Sequence, residues 1–244
     1  MCGRYSIALG VGDITRQIGK PLGVQIPETA GAAAYNIAPT EQVLAIVSTD
    51  GTPQARMLRW GLVPEWATEI TSPPRFNAKL ERVEKSGKFL GVPAKAARRA
   101  LIPASEFDEW VKGEAKRKVK PAPFGFTVDD GLAFCFAALW VLNKHVKDGP
   151  LASCTILTCD SASNSVVSPI HNRMPVILPD PQAWRAWIDP RVSQQEALSM
   201  CGPLPAERMS ARALPLAFNN SRNKSAELLF ERPTNESEQQ LSLT

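Results

Sequence analysis

Proline is the residue that most limits how this chain can fold. The 244 residues include 21 prolines, spread from Pro21 to Pro233, against a typical frequency of about 5%. A proline lacks the backbone N–H group and ends or kinks a helix. The chain is therefore expected to fold from short segments, without long helices.

Short apolar stretches rich in β-branched and aromatic residues predict strands between these interruptions. The run Asp129-Asp130-Gly131 joins two of them and predicts a hairpin turn. The predicted strands cover residues 43–48, 55–60, 100–103, 124–128, 132–142 and 151–158.

Two helices are predicted from their capping residues. Asp180 and Pro181 precede a helix over 182–188, and Ser193 with Glu196 forms a capping box for a helix over 194–200. Trp184 and Trp187 lie three residues apart on the first helix and are predicted core residues.

These elements predict one α+β domain over residues 1–230, because strands mix with short helices in no βαβ rhythm. The polar segment 231–244 is expected to be a frayed tail.

Composition and end sequences exclude several classes of protein. With 44% hydrophobic and 21% charged residues, the chain has the composition of a globular protein. The apolar run at residues 134–142, even with Leu132 and Ala133 before it, is far shorter than the roughly 20 residues of a membrane span. The N-terminal sequence lacks the features of a signal peptide, so a cytoplasmic location is expected, with no membrane partner.

The cysteines and histidines indicate neither disulfides nor a metal site. The odd cysteine count includes no C-x-x-C pair, and only His145 and His171 supply imidazoles. No metal or cofactor is expected. The five cysteines are Cys2, Cys135, Cys154, Cys159 and Cys201, of which the last four are predicted to be small core residues.

The charge is concentrated in one segment. The whole chain has a net charge of +4, but residues 75–120 carry 13 Lys and Arg against 6 Asp and Glu, which leaves −3 for the remainder. Such a basic segment is typical of a polyanion-binding surface, although a solvated helix face would look the same in the sequence.

Cys2 is the residue with the most distinctive chemistry. Removal of Met1 is expected because the second residue is small, and the mature chain would then carry an α-amine beside a thiol. Their ordinary pKa values, near 7.7–8.0 and 8.5, leave a useful fraction of each deprotonated at neutral pH. An amine condenses with an aldehyde to a Schiff base, and the neighbouring thiol then closes a thiazolidine. Alternatively, Cys2 is a chance residue at a mobile end.

Two residues next to Cys2 favour a built site. Gly3 permits close approach of a ligand to the backbone. Arg4 has the bidentate geometry that suits a phosphate.

Eight segments, kept in order from Met1 to about Glu227, resemble the SOS-response-associated peptidase (SRAP) family of abasic-site processing proteins. They are MCGRY, YNIAPT, LRWGLVPEWA, FNAK, RRALIPASEFDEW, FAALW, TILTCDSASNSVVSPIHNRMPVIL and FNNSRNKSAEL. The resemblance implies a single α+β domain with a curled, barrel-like mixed sheet flanked by short helices. It also implies covalent cross-linking of Cys2 to an abasic site in single-stranded DNA, during the DNA damage response.

The resemblance assigns four catalytic residues. Cys2 is the nucleophile, and Asn77 would orient the terminus or a sugar hydroxyl. Glu109 would shuttle protons during Schiff-base formation. His171 would move the proton that opens the hemiacetal ring.

Further matches suggest DNA contacts. Arg4 and Arg173 would pair with phosphates near the lesion, Trp60 would wedge or stack against a base, and Thr158 would help line the site. The other matching positions assigned to DNA binding are Gly3, Pro39 and Lys79. A monomer is expected.

Three departures from the family pattern bear on this assignment. Lys79 replaces the usual arginine, so a bidentate phosphate contact becomes a point charge. Glu106 and Asp108 replace a glycine and a tyrosine, and are expected to raise the pKa of Glu109. Residues 223–225 read Asn-Lys-Ser in place of Asn-Asp-Gly.

Two other functions fit the same residues. One is a thiol peptidase or autoprotease, in which Cys2 and His171 attack a peptide bond. The other is a non-covalent single-stranded DNA-binding module in which Cys2 is inert.

Overall fold

The computed structural model describes residues 2–30, 33–70, 72–95, 98–111 and 121–230. The tail predicted at 231–244 and parts of the basic segment lie outside these ranges. The described strands are β1 (Arg4–Ile7), β2 (Ala34–Ile37), β3 (Gln42–Ser48), β4 (Pro53–Trp60), β5 (Asn77–Lys79), β6 (Lys88–Phe89), β7 (Val92–Pro93), β8 (Arg99–Ala104), β9 (Glu106–Trp110), β10 (Pro123–Val128), β11 (Phe134–Asn143), β12 (Leu151–Asp160), β13 (Arg173–Pro175), β14 (Ile177–Leu178) and β15 (Met209–Ala213).

The helices in the described ranges are short, as the proline distribution predicts. They are α1 (Val11–Ile14), α2 (Lys20–Leu22), α3 (Leu80–Ser86), α4 (Pro181–Ile188) and α5 (Gln194–Ser199), with a π-helical turn at Thr15–Gly19 and 3₁₀ turns at Asp129–Gly131, Ala206–Arg208, Leu216–Asn219 and Ala226–Leu229.

Five strands close into a barrel. β12 pairs with β11 on one edge and with β4 on the other, and the order β4-β3-β8-β11 completes the ring. β5 and β13 also pair with β12, and β14 pairs with β11. This architecture confirms the α+β class and the barrel-like mixed sheet.

A second, antiparallel sheet has the order β15-β10-β9-β1-β2. β9 follows β8 of the barrel after only Ser105. Arg4 of β1 lies directly opposite Asp108 of β9, so the amino-terminal strand runs beside the strand that carries Glu109. The pairing of β1 with β9 therefore places the chain start next to a proposed catalytic residue.

All six predicted strands are confirmed, with ends that differ by at most two residues. Both predicted helices are confirmed too: Asp180 Oδ1 accepts from the Ala183 N–H at 2.9 Å, and Ser193 and Glu196 form the capping box. Trp184 and Trp187 are buried in the core.

The hairpin predicted at Asp129-Asp130-Gly131 is wrong. β10 pairs with β9 and β15, whereas β11 pairs with β8, β12 and β14. The turn has positive φ at all three residues, as a tight turn requires, but it carries the chain from one sheet to the other. The turn residues determine the local backbone conformation. They do not determine which strand β11 pairs with, because that depends on the packing of distant strands in the core.

The main core fills the barrel and the space between the sheets. Tyr5 packs edge-to-face on Trp60 and Phe136, with ring centroids 5.4 and 5.5 Å apart. Cys135, Cys154 and Cys159 are buried with free thiols, and Cys201 is partly buried, which confirms their prediction as small packing residues. In the described part of the chain, no helix has the length and apolarity needed to cross a membrane.

Candidate active site

Cys2 lies just before β1 and is fully buried. Its Sγ contacts the carbonyl oxygen of Arg4 at 3.6 Å. Burial raises the pKa of the Cys2 thiol well above its usual value, and the negative charge of Glu109 raises it further. The thiol is therefore held in its neutral form, close to Glu109.

Asn77 anchors the backbone of Cys2. It is the first residue of β5, which pairs in parallel with β12 through Ile156. Its Nδ2 donates to the carbonyl oxygen of Cys2 at 2.7 Å. Its Oδ1 is buried and has no hydrogen-bond partner within the described ranges, which leaves an acceptor in the site.

Glu109 is a buried carboxyl with a strongly shifted pKa. Burial raises this pKa to about 7, against the lowering effect of the positive amino terminus. The sequence predicted the direction of the shift but attributed it to Glu106 and Asp108. That cause is wrong, because side chains alternate along β9 and those two carboxyls lie on its other face.

His171 lies beside Glu109. Its Nδ1 is 3.9 Å from Glu109 Oε1, and both side chains are largely buried. The same Nδ1 lies 3.0 Å from the backbone nitrogen of Arg173 and 3.1 Å from its carbonyl oxygen, so the backbone of Arg173 holds the ring in either tautomer. Ser161 Oγ holds the segment by donating to the His171 carbonyl oxygen at 2.6 Å.

Arg4 is half-buried and held from three sides. Its Nε donates to Asn36 Oδ1 at 2.9 Å, its Nη1 donates to the Gly3 carbonyl, and the guanidinium lies 5.8 Å from the Trp110 ring centroid. These contacts hold the guanidinium of Arg4 in place at the start of β1, two residues after Cys2.

Arg173 projects from β13, two residues after His171. Both of its terminal nitrogens bond the Glu81 carboxylate, at 2.6 and 3.0 Å. Its Nη2 also donates to the carbonyl and Oγ1 of Thr158. Thr158 is fully buried. It therefore supports Arg173 and is not itself accessible to DNA.

The prediction that Trp60 stacks against a base is wrong. Trp60 is fully buried, and its Nε1 donates to the carbonyl of Phe76 at 2.9 Å. The aromatic side chain that sequence reasoning missed is Trp66, which is 71% exposed in the loop between β4 and β5. The one sequence feature that indicates an exposed Trp66 is its position after Pro64 and Glu65, outside any regular apolar pattern.

Three other residues were predicted to contact DNA. Lys79 is exposed at the end of β5, where its backbone pairs with Thr158 of β12, and its side chain makes no hydrogen bond or ion pair with the described residues. Pro39 is partly buried just after β2, and Gly3 lies between Cys2 and Arg4.

The altered loop at 223–225 is held against β2. Asn36, with a φ of 52°, donates through Nδ2 to the carbonyls of Phe218, Asn220 and Asn223. Lys224 Nζ donates to the Asn36 carbonyl at 2.8 Å and pairs with Glu41. The substituted loop therefore still contacts the strand that orients Arg4.

The chain is similar to several known proteins over most of its length. It is 31% identical over 231 residues to the abasic site processing protein YoqW of Bacillus subtilis, covering 94% of this chain and 99% of the relative. It is 30% identical over 239 residues to the abasic site processing protein YedK of Escherichia coli, covering 94% and 99%.

Solved structures share the fold. A protein from Bacteroides thetaiotaomicron superposes with a TM-score of 0.74 at 20% identity, over 94% of this chain and 99% of that one. The family model "SOS response associated peptidase (SRAP)" matches residues 1–221. The chain therefore belongs to the SRAP family.

Proposed function

We propose that this protein captures abasic sites in single-stranded DNA by forming a covalent thiazolidine with Cys2 once Met1 has been removed. The relatives named abasic site processing proteins support DNA-lesion handling. The observation that carries the proposal is the convergence of three polar side chains on Cys2: Asn77 on its carbonyl oxygen, Glu109 near its thiol, and His171 beside Glu109.

The reaction starts with opening of the sugar. An abasic deoxyribose is mostly a closed hemiacetal, and its ring opens when the hydroxyl proton is removed and the ring oxygen is protonated. The imidazole of His171 is suited to move that proton. The open form presents an aldehyde to the Cys2 amine.

Glu109 then handles the protons of Schiff-base formation. With a pKa near 7, it is half ionised at neutral pH and can take a proton from the ammonium group. It returns that proton to the carbinolamine hydroxyl, which leaves as water and forms the imine. Finally, the Cys2 sulfur bonds to the imine carbon, and the thiol proton ends on the nitrogen.

The same geometry disfavours a thiol peptidase. A peptidase needs the thiolate, which a nearby imidazolium stabilises. Here burial and the charge of Glu109 both oppose ionisation of Cys2, and His171 Nδ1 faces Glu109 and the backbone of residue 173. A neutral thiol suits addition to an imine better than attack on a peptide.

The DNA contacts that we propose are cations near the site and the exposed ring of Trp66. Arg4 and Arg173 lie within two residues of Cys2 and His171, and Lys79 follows Asn77 by two residues on β5. Phosphate contacts of this kind position a strand without reading its sequence. Trp66, at 71% exposure, offers the stacking surface that buried Trp60 does not.

The test is a denaturing gel of protein incubated with a single-stranded oligonucleotide that carries one abasic site. We expect a heat-stable shifted band that is lost in Cys2→Ala and in a chain with an N-terminal extension. Cys201→Ala removes a partly buried thiol outside the site and serves as the matched control.

Other outcomes identify the other functions. No band with the wild-type protein, whose N-terminus has been verified as Cys2, would exclude covalent capture. A complex seen only on native gels would indicate a binding module. Cleavage of a peptide that is lost in Cys2→Ser would indicate a peptidase.

A further inference from the structure

Glu106 and Asp108 form a buried acidic pair on the face of β9 opposite Glu109. Their relative exposures are 2% and 0%. The two carboxyls are in side-chain hydrogen-bond contact with each other, and within the described ranges no other group hydrogen-bonds the oxygens of Asp108 or Oε1 of Glu106. Two carboxylates cannot both stay ionised in such a place without large cost.

The neighbouring strands show which carboxyl keeps its charge. Arg212 of β15 forms an ion pair with Oε2 of Glu106. The pair spans β10 at Gly125, where an added Cβ would lie 2.7 Å from Glu106 Oε1. The glycine thus leaves room for Glu106 to reach Arg212. Burial raises the pKa of Glu106 and Arg212 lowers it, so of the two carboxyls Glu106 is the one that the arginine favours as an anion.

Asp108 is then the protonated member. Burial raises its pKa well above its usual range, and the charges of Glu106 and, more weakly, Glu109 raise it further, while Arg212 opposes them. β10 contributes only Gly125 at this position. Across β1, Arg4 is its direct partner in the ladder, and Glu41 is the other carboxylate that acts on Arg4.

Because Asp108 lies opposite Arg4, its protonation state affects the electrostatic field of the Arg4 guanidinium. We propose that Asp108 is a positioning residue whose proton keeps Arg4 free to bind a DNA phosphate. Loss of that proton creates a buried anion opposite Arg4. The anion draws the guanidinium inward and cancels its field at the site. The inference rests on the proposed DNA-binding function of Arg4.

The experiment measures binding of an undamaged, fluorescent single-stranded oligonucleotide in steps from pH 6 to pH 10, for the wild type and Asp108→Asn. At pH 6 the two proteins should bind equally, because an amide resembles a protonated carboxyl in shape. As pH rises past the raised pKa of Asp108, the variant should become the tighter binder by three- to tenfold, since only the wild type gains the buried charge. Glu109 also ionises in this range, at about pH 7, so the same comparison is repeated in a Glu109→Gln background.

A second measurement does not depend on DNA. It is made in a Glu109→Gln background, because Glu109, with a pKa of about 7, also carries a proton at pH 6. The infrared spectrum of Glu109→Gln at pH 6 should show a protonated-carboxyl band that disappears when Asp108→Asn is added. Asp129→Asn is the matched control, because the ion pair with Arg208 lowers the pKa of Asp129 and keeps it ionised. It should change neither the band nor the affinity ratio.

An affinity ratio that stays the same from pH 6 to pH 10 would overturn the proposal, as would an infrared band that survives when Asp108→Asn is added to Glu109→Gln. A variant that fails to fold at pH 6 would also count against it, because the neutral amide should be tolerated. Failure of the proposed function would look different: the abasic oligonucleotide would give no cross-link, whatever the ratio on undamaged DNA.

Discussion

Asn77 Nδ2 and the carbonyl oxygen of Cys2 are joined by a 2.7 Å hydrogen bond, which ties β5 to the chain two residues before β1. This bond fixes the nucleophile relative to Glu109 and His171. A reacting group that is misplaced by about 1 Å loses on the order of 100-fold in rate. We therefore expect Asn77 to contribute to the rate by holding Cys2 in position.

Asn77→Ala should slow cross-linking to an abasic oligonucleotide by about 10- to 100-fold with little change in binding to undamaged DNA. The rate is measured from quenched time points on denaturing gels. The exposed Gln25→Ala is the control. A loss of DNA affinity equal to the loss of rate would show that Asn77 holds DNA and does not orient Cys2.

Glu109 should impose a pH dependence on the reaction. Because burial raises its pKa to about 7, the rate of Schiff-base formation should rise as pH increases through 7 and the carboxyl ionises. Glu109→Gln should lower the rate and remove this inflection. Single-turnover rates between pH 5.5 and 8.5 test it, and an unchanged inflection in the variant would assign the titration to another group.

The same shift predicts an effect on stability. The folded protein holds the Glu109 proton up to about pH 7, whereas the unfolded chain releases it near pH 4.3. Folding stability should therefore fall as pH rises from about 4.5 to 7, by about 3 kcal/mol from this group. Glu109→Gln should be more stable than the wild type at pH 7 and equal to it near pH 4.5, as measured by urea unfolding. A constant difference across this range would contradict the assignment.

The Glu81–Arg173 pair should compete with DNA. The Glu81 carboxylate occupies both terminal nitrogens of Arg173, which are the groups that a phosphate would bind. Glu81→Gln should tighten single-stranded DNA binding by about two- to fivefold, the value of an exposed ion pair. Glu84→Gln, another exposed carboxylate of α3, controls for net charge. Weaker binding in Glu81→Gln would mean that Glu81 orients Arg173 for DNA.

Lys79→Arg should also tighten DNA binding, because a guanidinium can contact a phosphate through two nitrogens. The side chain of Lys79 has no hydrogen-bond or ion-pair partner in the described ranges that the change would disturb. Lys85→Arg, on the exposed surface of α3, is the control in the same anisotropy assay. A fall in affinity for Lys79→Arg would show that the shorter reach of the ammonium group is what the site uses.

Local patterns in the sequence predicted much of this fold. The six strands and both capped helices depend on neighbouring residues, such as Asp180 with Pro181, and were found correctly. The destination of β11 after the Asp129 turn was not, because it depends on distant pairing with β8 and β12. The shifted pKa of Glu109 was predicted for the wrong reason, since burial on one face of β9 becomes visible only in three dimensions.

The two tryptophans of the segment from 58 to 67 give the last prediction. Trp60 fills the core, with its ring against Tyr5 and Phe76, whereas Trp66 is exposed. Stacking of one base on an aromatic ring contributes about 1–3 kcal/mol, so Trp66→Ala should weaken single-stranded DNA binding by about 5- to 150-fold and leave thermal stability unchanged. Trp66→Phe should retain most of the affinity. Trp60→Ala is the contrasting variant, which should lose about 3–5 kcal/mol of stability through the cavity it leaves. Unchanged DNA affinity in Trp66→Ala would show that the exposed ring lies off the path of the strand.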